Sequence, residues 1–131
     1  FMSKVLKRSN CRFFLMTGNN IDELKIMDEI IESEYKEYCT PLNNFTIKEI
    51  LPIIPNCQIA ICNDSSFSHL SAGLGIKTIV LMVDTPLIYG SYNKNMYPIL
   101  PEGETNVTHD TLGKDKINPE EIYNNFKKLL G

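Results

Sequence analysis

The sequence predicts an α/β fold, a mostly parallel sheet with flanking helices. Three observations predict it. Two apolar runs, Ile59-Ala60-Ile61-Cys62 and Thr78 to Val83, are nearly continuous, as in strands buried on both faces of a parallel sheet. Between them lie a polar turn, Asn63-Asp64-Ser65-Ser66, a small-residue helical segment, His69 to Leu74, and a stop at Gly75, which together make one βαβ unit. Along the rest of the chain, strand-like and helix-like segments alternate at the spacing such units require.

The elements follow in order. Met2 to Ser9 reads as the end of a helix, with Val5 and Leu6 apolar. Cys11 to Met16 is a strand, stopped by Thr17-Gly18-Asn19-Asn20. Ile21, Leu24, Ile26, Met27, Ile30 and Ile31 recur at helical spacing and predict an amphipathic helix to about Glu34. Glu37 to Thr40 is a short strand ended by Pro41. Thr46 is placed to cap a helix through Ile50 and Leu51, which Pro52 would kink and Pro55-Asn56 end. The βαβ unit of 58–84 comes next, then a loop from Thr85 to Asn95. Tyr97 to Leu100 is a short edge strand, where Pro98 is tolerated. Pro101 to Lys116 is polar and reads as loop. Asn118 caps a last helix with Pro119 in its first turn and Glu120-Glu121 favourable to its dipole; Ile122, Phe126, Leu129 and Leu130 form its apolar stripe.

At 131 residues the chain is expected to be a single domain, 1–131, with a net charge of -3. The basic residues near its start, Lys4, Lys7 and Arg8, form only a modest grouping, and no nucleic-acid partner is expected. No apolar run approaches the roughly 20 residues of a membrane helix, and the start lacks the apolar core of a signal peptide. The four cysteines, Cys11, Cys39, Cys57 and Cys62, have neither zinc-like spacing nor a CxxC pair. They read as reduced core thiols of a cytoplasmic protein. No metal and no cofactor are expected.

In parallel sheets ligands bind beyond the carboxyl ends of the strands, which directs attention to Asn63–His69. A helix beginning after Asp64-Ser65-Ser66 has free N–H groups and a positive dipole end, which suit a phosphate. Asp64 is suited to sugar hydroxyls, and His69, one turn into the helix, offers a further donor. The same pattern also arises when Asp64 or Ser65 merely caps the helix, and capping residues are the commoner occurrence. G-x-G-x-x-G, G-x-S-x-G and P-loop motifs are missing, which argues against a dehydrogenase or hydrolase half.

The stretch Asn63 to Gly75, followed by Lys77-Thr78-Ile79-Val80-Leu81, resembles the signature of the glycosyltransferase family 9 heptosyltransferases, roughly N-D-[ST]-G-x-x-H-[LI]-A-A-A-L-G-x-P-[TV]-[IV]-x-L. The Asp, the hydroxyl residue, the His and the following strand fall in register. Asp84-Thr85-Pro86, Gly90 and Tyr92 echo the loop beyond it. Upstream, Gly18 with its acidic helix start and Asn44-Phe45-Thr46 match in placement. The resemblance implies a Rossmann-like domain, the C-terminal half of a GT-B glycosyltransferase. It implies a nucleotide-sugar donor such as ADP-heptose, bound as substrate, and a glycan or lipid-linked acceptor held by a separate N-terminal domain. The implied setting is lipopolysaccharide or other surface-glycan synthesis in the cytoplasm, at the inner face of the bacterial inner membrane, with peripheral membrane association of the full enzyme. Asp64 would contact the donor sugar, and the Ser65 and Ser66 amides with His69 the diphosphate. Glu23 or Asp22 would hold the ribose, and Phe45 would line the base pocket.

The sequence also departs from the family pattern. Ser66 stands where the family has Gly, Lys77 and Thr78 replace its small or polar residue and its Pro, and Val83-Asp84 replaces its Gly-Pro turn. These changes point to a divergent member whose donor can differ from ADP-heptose. The acceptor domain, the catalytic base expected there, and the donor domain's first strand have no counterpart in the chain. That strand would lie between the strands at 11–16 and 58–63. A fragment, a partner supplying the strand, and direct closure of the sheet between those two strands are the three alternatives. This chain alone is expected to transfer no sugar, and a non-catalytic nucleotide-binding or protein-interaction module is the alternative function.

Overall fold

The computed structural model describes residues 1–131, which form two compact units, Phe1–Pro52 and Ile53–Gly131. Every strand pairing is parallel, in one sheet of two strands and one of three. The result is a partial Rossmann-like arrangement with flanking helices, the predicted class.

In the first unit, helix α1 (Met2–Leu6) buries Val5. Strand β1 (Phe13–Leu15) is shorter than predicted and pairs with β2 (Cys39–Pro41). The second strand is shifted from its predicted place. Lys36–Tyr38 is a 3-10 turn, and Pro41 ends the strand as its last residue. A two-stranded sheet has only edges, and an edge tolerates the missing N–H. Helix α2 (Ile21–Ile31) is capped by Asn20, whose side chain accepts from the Glu23 N–H. It stops short of Glu34 because the Ser33 hydroxyl donates to the Ile30 carbonyl at 2.6 Å, offering the backbone a turn in place of the helix. Its buried residue is Met27, while Ile21 and Ile26, predicted for the apolar face, are exposed. Helix α3 (Ile47–Ile50) begins at the predicted cap, Thr46, in a capping box with Glu49, and ends before Pro52.

In the second unit, β3 (Ile59–Asn63), β4 (Lys77–Leu81) and β5 (Met96–Ile99) lie side by side in that order. Only the central strand meets the expectation of burial on both faces: Thr78, Ile79 and Val80 are fully buried. β3 is half-buried because it is an edge of its sheet. β1 pairs with β2 in one sheet, and β3 with β4 in the other. Helix α4 (Ser66–Gly73) joins β3 to β4. It ends in a Schellman motif: the Ile76 N–H donates to the Ser71 carbonyl, the Gly75 N–H donates to Ala72, and Gly75 adopts φ +88°. The core of this unit is Ala72, Val80, Met82, Met96 and Val107. Val107 comes from the polar stretch after β5, which is therefore anchored and not a free loop. Its Gly113 N–H donates to the Val83 carbonyl at 2.8 Å.

Helix α5 (Pro119–Leu130) begins as predicted, with the Asn118 side chain accepting from the Glu120 N–H. Its buried residue is Tyr123, which the predicted stripe omitted, whereas Leu130 is exposed. The Lys77 ammonium donates to the Leu129 carbonyl at 2.5 Å, a cation at the helix C-terminus. That contact gives a structural reason for one departure from the family pattern.

Candidate functional site

The edge strand β3 delivers Asn63 and Asp64 to the carboxyl end of its sheet, and α4 starts two residues later. Ser65 is the N-cap, in extended conformation. Its N–H donates to Ser68 Oγ at 3.2 Å, and that hydroxyl donates back to the Ser65 carbonyl at 2.7 Å. The Ser65 amide is therefore used within the turn. Ser66 and Phe67 open the helix, so their amides have no acceptor inside it and carry its positive dipole end. Capping accounts for Ser65 and Ser68. It does not account for Asp64 or His69.

Asp64 lies outside the cap with its side chain 13% exposed. Its Oδ1 is 3.4 Å from His69 Nε2, an ion-pair distance without the alignment of a hydrogen bond, so this buried oxygen has no donor. Buried carboxylate oxygens are rarely left so, because an unmet acceptor costs about 1–3 kcal/mol. His69 is 38% exposed, and its Nδ1 lies 2.8 Å from the Tyr92 hydroxyl. The two rings stack with centroids 5.7 Å apart and planes 21° from parallel. Tyr92 belongs to the segment after β4, which Asn95 also ties to α4 through a 3.0 Å bond from its Nδ2 to the Ala72 carbonyl. Thr85, in the same segment, has a buried hydroxyl with no partner. In the sequence Thr85 and Tyr92 stand out only as echoes of a family loop. Their register gives no periodic signal, and contact across 23 residues is invisible in the chain order.

Of the predicted site residues, Asp64, Ser65, Ser66 and His69 stand together in the second unit. Asp22, Glu23 and Phe45 belong to the first. There Glu23 is already engaged: its carboxylate accepts from the Gly18 N–H and, at 2.5 Å, from Asn20 Nδ2. Asp22 is exposed beside it in the first turn of α2. Phe45, just before the cap of α3, is 48% exposed. The four cysteines are free thiols. Burial pushes the Cys39 and Cys57 thiols up, and that of Cys62, inside β3, up to about 11. These three are not poised nucleophiles at neutral pH. No helix is long and apolar enough to cross a membrane.

Neither a curated protein nor a solved structure matches the chain. A family model does, over residues 2–116, and the matched span includes the Asp64–His69 cluster and the acidic start of α2. By that match the chain belongs to glycosyltransferase family 9 (heptosyltransferase) and constitutes a glycosyltransferase-type domain.

Proposed function

We propose that this chain binds the nucleotide-sugar donor of an inverting glycosyltransferase, with ADP-heptose or a close analogue as donor and a surface glycan such as lipopolysaccharide as the product's destination. The observation that carries the reading is the buried, donorless Oδ1 of Asp64, next to His69 and the free first-turn amides of α4. A sugar hydroxyl supplies the hydrogen bond this oxygen lacks. A diphosphate is matched by the Ser66 and Phe67 amides and by His69. In the second unit the donor's ring and phosphates thus have partners of the right kind.

The reaction this serves is attack of an acceptor hydroxyl on the anomeric carbon as the nucleoside diphosphate departs. Negative charge grows on the departing phosphate, and oriented N–H groups placed beforehand stabilise that charge most effectively. The base that takes the acceptor's proton is expected from the family's N-terminal domain. Ribose binding by Glu23 or Asp22 and base contact by Phe45 belong to the same proposal and rest on the family resemblance.

A transfer assay tests it: this chain is mixed with the acceptor-binding domain of a family 9 enzyme, an ADP-sugar and acceptor, with each part alone as control. Transfer that needs both parts and is lost in Asp64→Ala is the expected result. Absence of transfer, together with no nucleotide binding by the folded chain, would give the lead to a non-catalytic interaction module.

A further inference from the structure

The geometry points to Tyr92 as a positioning residue that sets the orientation and tautomer of His69, an inference that rests on the donor-site reading above. An imidazole on an exposed helix turn rotates freely about its last torsion, and a neutral ring carries its proton on either nitrogen. Here both freedoms are restricted. The Asp64 carboxylate, which only accepts hydrogen bonds, faces Nε2 at 3.4 Å and favours the proton there. In the neutral ring Nδ1 is then an acceptor, and the Tyr92 hydroxyl at 2.8 Å is placed to donate to it. The stacked phenol holds the ring plane as well. The segment bearing Tyr92 is fixed to the same helix one turn on, through Asn95 and Ala72. His69 is thus presented as an Nε2–H donor, with its orientation set before a phosphate arrives. Preorganisation of this kind strengthens binding by reducing what must be ordered on contact.

Two measurements on the full chain test the inference. In the first, long-range proton–nitrogen NMR spectra of the free chain are taken where both imidazoles are neutral, with the exposed His109 as internal reference. The expected result is a proton on His69 Nε2, and an Nδ1 resonance that moves in Tyr92→Phe while the His109 signals stay in place. A proton on Nδ1, or an Nδ1 resonance that ignores the substitution, overturns the inference. In the second, ADP is titrated into wild type, Tyr92→Phe and Tyr92→Leu. Tyr92→Phe keeps the stack and loses the hydroxyl, and should weaken ADP binding roughly two- to tenfold, the worth of one hydrogen bond. Tyr92→Leu should weaken it further. Full rescue by Phe would leave Tyr92 a packing role only and contradict the inference. Weaker binding with an unmoved Nδ1 resonance would mean that Tyr92 touches the ligand itself, which also contradicts it. If wild type binds no ADP, the donor-site reading falls, and the resonance of Nδ1 alone decides whether Tyr92 orients His69.

Discussion

Asp64 keeps one carboxylate oxygen buried without a donor, and Cys62 keeps a half-buried thiol on the strand residue before Asn63. Both have measurable consequences. Asp64→Asn puts a neutral oxygen in the same place and lowers the desolvation cost. The variant should therefore unfold at the same or a higher urea midpoint while losing nucleotide-sugar binding; a large drop in midpoint would assign Asp64 to the fold instead. For Cys62 the raised value favours the folded state while the thiol stays protonated. That contribution is complete below the ordinary thiol range, near pH 9, and is lost as pH rises toward about 11. The shift corresponds to roughly 2–3 kcal/mol. Urea unfolding of wild type and Cys62→Val should accordingly differ by a constant amount below pH 9, with wild type losing stability relative to the variant as pH rises toward about 11, and a pH-independent difference would refute this. At this scale the motif made Asp64 and His69 legible, because their five-residue spacing places them on either side of a helix start. Tyr92 was not legible as a partner, since side chains that meet across a loop leave no mark in local spacing.

Among the elements, α4 and its two ends determine where the site residues point. Gly75 closes the helix at φ +88°, where a side chain is strained by about 1–2 kcal/mol. Gly75→Ala should lower stability by that amount in a denaturant melt, and no loss would mean that the turn relaxes. The segment that carries Tyr92 starts with a 3-10 turn, Leu87–Gly90, packed on the core: a Cβ on Gly90 would fall 2.3 Å from Met82 Sδ, and Met82 is fully buried. Gly90→Ala should destabilise by about 1–3 kcal/mol, as overpacked cores do, and should loosen the His69–Tyr92 contact. An unchanged melt would show that Met82 has room to move. Helix caps were readable in advance, as Asn118 and Thr46 demonstrate, because capping is local chemistry. Burial was less readable. Hydrophobic period placed Ile21, Ile26, Met27 and Leu130 inward, whereas tertiary packing buried Met27 of these and added Tyr123. Likewise, apolar continuity suggested two deeply buried strands, but strand order left β3 at an edge.

For the whole molecule, the alternation of strand and helix was enough to give the α/β class. The division of the strands into two parallel sheets was not, because pairing partners depend on contacts far apart in sequence. The family match runs from residue 2 to residue 116 and so includes residues of both compact units. The measurement that tests the donor-site proposal most directly is calorimetric titration of the folded chain with ADP-sugars, UDP-sugars and free ADP, repeated on Asp64→Ala and His69→Ala. Weak, adenine-selective binding that both substitutions abolish is the predicted result. A folded chain that binds none of these nucleotides, or binds them equally well in both variants, would contradict it.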